Sequence, residues 1–175
     1  ALVTSLRGAG EAQTRSMAAV LLRRAVTKDL GAYTGEQRQD ALWPRLSAQA
    51  QSLVKSELLQ CVAGESNGSI RHKVCDAVSE LAAGLLQQQQ QPGGAPGGWP
   101  ELMPFMFNCV ANGAPPLKES ALSIFAQLAP VIAETMTPYL GQLHGILGAN
   151  LDANAPAEVR VAALRATCSF VQALE

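Results

Sequence analysis

Apolar residues recur along this chain at spacings of three and four, and alternating β-branched runs are absent, so the pattern predicts an all-α protein. The pattern is interrupted at "GAG" (8–10), "KDLGAYTGEQRQD" (28–40), "GESNGS" (64–69), "QQQQQPGGAPGG" (87–98), "NGAPP" (112–116), "AETMTP" (133–138) and "DANAP" (152–156). These stretches are rich in residues that end helices, and they mark off about eight helical segments. Proline is expected at helix starts at Pro44, Pro100 and Pro138, where its missing N–H costs nothing. Pro104 does not suit the interior of a helix opening at Pro100, so that helix is expected to kink or to begin near Met103.

The segments fall into pairs, and the second member of each pair repeats. "TRSMAAVLLRRA" (14–25), "IRHKVCDAVSEL" (70–81), "LKESALSIFAQL" (117–128) and "VRVAALRATCSF" (159–170) each carry a basic residue second: Arg15, Arg71, Lys118 and Arg160. A small or aliphatic residue stands fifth in each: Ala18, Val74, Ala121 and Ala163. The preceding segments "LLQCVAGESNGSIR", "MFNCVANGAPPLK" and "ILGANLDANAPAEVR" each run an apolar end into a polar turn. Helix pairs repeating at about 40–47 residues are the signature of HEAT or armadillo units, and two helices per unit favour HEAT.

The expected fold is therefore an α-α superhelix, a HEAT-repeat solenoid of about four antiparallel pairs over 1–27, 41–86, 99–132 and 138–175. The loops 28–40 and 87–98 are expected to be flexible, and the uncapped ends suggest a fragment of a longer chain. Along 70–85, Ile70, Val74, Ala77, Val78, Leu81 and Leu85 share one helical arc and should face the core. Cys75 falls at the margin of that arc, and Trp43 and Trp99 read as core anchors. Turn acids such as Glu65 and Asp152 are expected to reach the basic residues Arg71 and Arg160.

Composition narrows the function. Thirteen basic residues against fourteen acidic ones offer no broad nucleic-acid surface. No apolar run approaches the roughly 20 residues that cross a bilayer. Cys61, Cys75, Cys109 and Cys168 form no C-x-x-C pair and read as free thiols in a reducing compartment. Arg71, His72, Cys75 and Asp76 lie close enough to suggest a metal or nucleophile site. A zinc site, however, needs further ligands, and His144, the only other histidine, sits far along the chain. A cysteine nucleophile needs a base within reach and a pocket that excludes water, and one helix surface supplies neither. No catalytic residue, cofactor or metal is expected.

Six segments resemble, in order and with matching gaps, the amino-terminal HEAT repeats of the importin-β family, its importin-5 branch in particular. They are "RSMAAVLLRR" (15–24), "VKSELLQCV" (54–62), "RHKVCDAVSELA" (71–82), "WPELMPFMF" (99–107), "LKESALSIF" (117–125) and "PAEVRVAALRATCSFVQALE" (156–175). The loop 87–98 and the linker "GAYTGEQRQD" depart from the family pattern.

The resemblance implies a non-catalytic nuclear import receptor that binds Ran-GTP and cargo with basic localisation segments on a concave face lined by second helices. Phenylalanine-glycine nucleoporins would be met through other repeats, and the protein would shuttle between cytoplasm and nucleus. Periodicity selects the polar side of the second helices as the candidate protein-binding surface: Arg23, Arg24, His72, Lys73, Asp76, Glu80, Glu119, Ser123, Arg165 and Ser169. A HEAT scaffold of another kind, phosphatase-scaffold-like or chromosome-associated, would share the period but lack the ordered match. An enzyme would need a convergent polar pocket.

Overall fold

The computed structural model describes residues 1–27, 42–90 and 98–175, in two compact units, Ala1–Trp99 and Pro100–Glu175. The described residues form nine α-helices: α1 (Leu2–Gly8), α2 (Ala12–Thr27), α3 (Leu42–Arg45), α4 (Ala48–Gly64), α5 (Gly68–Gln90), α6 (Leu102–Asn112), α7 (Pro115–Ile132), α8 (Leu140–Leu151) and α9 (Ala157–Leu174). A 3₁₀ turn over Thr137–Tyr139 precedes α8.

Each unit is two helical hairpins laid side by side. In Ala1–Trp99, α1 packs on α2 and α4 on α5, while α1 also lies against α4 and α2 against α5. In Pro100–Glu175, α6 packs on α7 and α8 on α9, with α6 against α8 and α7 against α9. First helices thus meet first helices and second meet second, which is the HEAT arrangement and bears out the all-α solenoid reading.

Local chemistry sets the helix boundaries. Ser47 caps α4 by accepting from the Ala50 N–H at 3.2 Å, and Asn67 Oδ1 accepts from the Ile70 N–H at 3.2 Å at the start of α5. The break at 112–116 depends on Gly113, whose N–H closes α6 on the Cys109 carbonyl at 2.9 Å. A Cβ there would stand 2.4 Å from that same oxygen. Pro115 and Pro116 then occupy the first turn of α7, where no N–H is missed.

Three expected proline positions shift. Pro44 is third in the short α3, Pro100 lies in the turn before α6, and Pro138 sits inside the 3₁₀ turn. Pro104 is untroubled because α6 opens at Leu102, one residue before the expected start, which leaves the proline within the first turn. Helix α5 also continues through 87–90, where a loop was expected. Glutamine is a good helix former and the pattern breaks only at the Pro-Gly run. The rest of that loop, 91–97, and the linker 28–40 lie outside the described residues.

The core follows the predicted stripe on α5 and widens it. Ile70, Val74, Ala77, Val78, Leu81 and Leu85 are buried, as expected, and so are Cys75, Ser79 and Ala82. Helix α5 has two partners within its unit, α2 and α4, so its buried face is broader than one arc. Cys75, expected at the margin, is 1% exposed for that reason. Trp43 and Trp99 are buried. In the second unit, Phe125 is fully buried between Phe107, 5.3 Å away, and Phe170, 6.3 Å away.

Candidate protein-binding surface

The polar side of the second helices is where the sequence points, and in the first unit much of it is tied between helices. Arg23 of α2 reaches Asp76 of α5 at 3.4 Å and also pairs with Glu80, one turn further on. Lys73 of α5 donates to the Ser16 hydroxyl of α2. Asp76 and Glu80 stand four apart, so they share a face of α5 and clasp one guanidinium between them. Arg23 holds the Glu80 carboxyl below the usual carboxylate range, and Glu80 raises the Arg23 guanidinium in turn.

A second tie lies at the turn. Arg15, the basic residue that opens α2, donates from Nε to one Glu65 carboxylate oxygen at 2.8 Å and from Nη2 to the other at 3.3 Å. Its Nη1 donates to the carbonyls of Ala9 and Gly10 at 2.9 and 3.1 Å. The hydrogen bond from Arg15 is the main cause of the lowered Glu65 pKa; burial opposes it, and the Asn67 N–H and the charge of Arg71 assist. The expected Arg71–Glu65 link therefore takes another form. Arg71 Nη1 donates to the backbone carbonyl of Glu65 at 2.9 Å, while the carboxylate belongs to Arg15 of the preceding pair.

The first helices carry a third tie, which periodicity did not select. Arg7 Nη1 of α1 donates to both carboxylate oxygens of Glu57 of α4, at 2.8 and 2.9 Å. Arg7, Arg15 and Arg23 stand eight residues apart, and Glu57 and Glu65 follow the first two at an offset of fifty. That constant offset, close to the repeat length, was the signal in the sequence that could have found them.

The remaining candidates are dispersed. Arg24 and His72 are exposed on α2 and α5, Glu119 and Ser123 are half-buried on α7, and on α9 Arg165 is exposed and Ser169 half-buried. The second turn acid, Asp152, accepts from the N–H and the side-chain amide of Asn154 at 2.8 and 2.9 Å.

The chemistry of the cluster at 71–76 separates by direction. His72 is exposed while Cys75 is buried on the same helix. Among the described residues no group of three His, Cys, Asp or Glu side chains gathers as a metal site would require. Cys61, Cys75 and Cys109 are buried free thiols and Cys168 is exposed; burial pushes Cys61 and Cys109 up to about 11. Among the described residues no helix is long and apolar enough to cross a membrane. A polar cleft of about 420 Å³ between α1 and α4 is lined by Arg7, Arg15, Glu65 and the buried thiol of Cys61, among others.

These paired helices define a HEAT-repeat solenoid segment. The model of the family described as "IPO5-like, TPR repeats" matches residues 66–175, and the chain belongs to that importin-5-like family. A probable importin-5 homolog of Dictyostelium discoideum is 25% identical over 122 residues, which is 69% of this chain and 11% of the relative. The crystal structure of Kap121p matches with a TM-score of 0.70 at 22% identity, over 99% of this chain and 14% of that one. The structures of Kap121p bound to RanGTP and bound to Pho4p match at TM-scores of 0.66 and 0.69. At this identity the structural neighbours speak to the fold. The chain spans about a tenth of the length of the relative it matches.

Proposed function

We propose that this chain is a segment of a non-catalytic nuclear transport receptor that binds Ran-GTP, import cargo or both through the polar side of its second helices. Membership of the importin-5-like family is the observation that carries this reading. Kap121p, similar in fold, has been solved with RanGTP and with Pho4p and Ste12p. In this reading Arg24, His72, Glu119, Ser123, Arg165 and Ser169 offer contacts, whereas Arg23, Lys73, Asp76 and Glu80 set the spacing of the helices that present them. Cargo with basic localisation segments, nucleoporins met through other repeats, and shuttling between cytoplasm and nucleus follow from the same family.

The test adds Ran loaded with GTP or with GDP to the protein containing this segment and measures both affinities. Preference for the GTP form is the expected result. Equal affinity for both, or none for either, would overturn the transport reading.

A further inference from the structure

We infer that the hairpin α1–α2 is an arm clasped to α4–α5 by a row of charge contacts at the edge of a buried apolar contact, Ala18, Leu22 and Val26 on α2, and that ionic strength loosens this clasp while leaving the joint between α7 and α9 unchanged. Four observations meet in it. First, the clasp spans both rows of helices, with Arg7–Glu57 between the first helices and Arg15–Glu65 and Arg23–Asp76/Glu80 between the second. Second, the charges are divided: the arginines of all these ion pairs stand on the arm and the carboxylates on its neighbour, so each weakened pair loosens the same seam.

Third, part of the row is wet. Arg23, Asp76 and Glu80 are 40%, 38% and 41% exposed at the side chain, so salt reaches these pairs; Arg7–Glu57, at 55% and 14%, is half sheltered, and Arg15–Glu65, at 18% and 9%, is sheltered. The Debye length shrinks from about 10 Å at 0.1 M to about 3 Å at 1 M, which weakens the attraction between exposed partners. Fourth, the arm keeps its own integrity when the clasp loosens. Helices α1 and α2 pack on each other across a short turn, and the Arg15 Nη1 bonds to Ala9 and Gly10 lie within the arm. Salt does not weaken apolar burial in either joint; the ion pairs edge the first, while the joint between α7 and α9 has the apolar Phe125–Phe170 contact, so the first is the one that should respond.

The inference does not rest on the transport reading, and a failed Ran measurement leaves it standing. It is tested by amide hydrogen exchange on the protein at low and at about 1 M NaCl. Amides of α1 and α2 should exchange about tenfold faster at high salt, the combined effect of several exposed pairs, while those of α7 and α9 change little. Equal responses from α2 and α9, or no response from α2, would overturn it. The double variant Arg15→Gln/Arg23→Gln should exchange fast in α2 at both salt levels, so that the salt response shrinks to what Arg7–Glu57 contributes. Retention of the full response there would also overturn it. Should the double variant fail to fold, Arg23→Gln alone, at a half-exposed position, should lose part of the response, and an undiminished response would count against the clasp.

Discussion

Between α2 and α5 the contact is edged by Arg15–Glu65, Arg23–Asp76 and Arg23–Glu80; between α7 and α9 its centre is Phe125 against Phe170. The two joints are the same element of the repeat, so aligned positions can be compared directly. Where α2 has Arg23, α7 has Ala126; where α5 has Asp76 and Glu80, α9 has Arg165 and Ser169; where α5 is preceded by Glu65, α9 is preceded by Asn154. Arg23 and both of its acids are thus replaced together. In the other direction, Leu22 of α2 gives way to Phe125 of α7 and Leu81 of α5 to Phe170 of α9, so aromatic rings stand where the first joint has leucines. Both joints thus bury apolar side chains, leucines in the first and rings in the second, and the first adds ion pairs at its edge, so the two are expected to respond differently to salt.

The largest effect should come from the buried rings. Phe125→Ala removes a fully buried side chain that meets rings from both α6 and α9, and large-to-small changes of this kind cost about 3–5 kcal/mol. Chemical denaturation of the protein should show that loss, and its size should not depend on salt. A cost below about 1 kcal/mol would mean that the second joint does not depend on its rings.

This division also marks how far the sequence could be read. The α5 stripe, the repeat register and most of the breaks were legible because burial and helix termination leave local traces, as Ile70, Val74, Val78 and Gly113 show. The seam was less legible. Arg23, Asp76 and Glu80 were found on a polar face, but periodicity fixes only which way a side chain points from its own helix and not what stands opposite. The HEAT pattern of a turn acid and a basic residue early in the second helix points Glu65 to Arg71, whereas the partner of its carboxylate is the equivalent basic residue of the preceding pair, fifty positions away. Arg7 was missed because it sits on a first helix. A comparison of charge positions at the repeat offset, rather than along each helix, would have recovered both.

The sheltered pair should have the next largest effect. Glu65→Ala leaves the Arg15 guanidinium and the Asn67 N–H without the acceptor they share, at a cost of about 1–3 kcal/mol. Acid should reach the same contact by titration. Arg15 and Arg23 hold Glu65 and Glu80 below the ordinary range, so their stabilisation is complete above the unfolded-chain value of about 4.3. It is lost as pH falls through the lowered folded values, because the unfolded chain then binds more protons than the folded one. Hydrogen exchange followed from neutral pH down to about 3 should show α2 losing protection before α9. Simultaneous loss would erase the distinction between the joints.

The smallest effect, and the finest test of the comparison, belongs to Arg23. Its pairs with Asp76 and Glu80 are roughly 40% exposed, and exposed pairs contribute only about 0–1 kcal/mol, so Arg23→Ala should cost no more than that. The loss has two parts. One is the missing attraction; the other is the repulsion between Asp76 and Glu80, four apart on one helix, which the guanidinium no longer screens and which costs about 0.2–0.5 kcal/mol. Removing Glu80 as well should therefore recover part of the stability lost by Arg23→Ala, and in high salt the two variants should converge. Denaturation of both variants at two salt concentrations measures this. If Glu80→Ala makes the Arg23→Ala protein less stable instead, Glu80 contributes to the joint through something other than charge, and the contrast between a first joint edged by ion pairs and a second with buried rings would need to be redrawn.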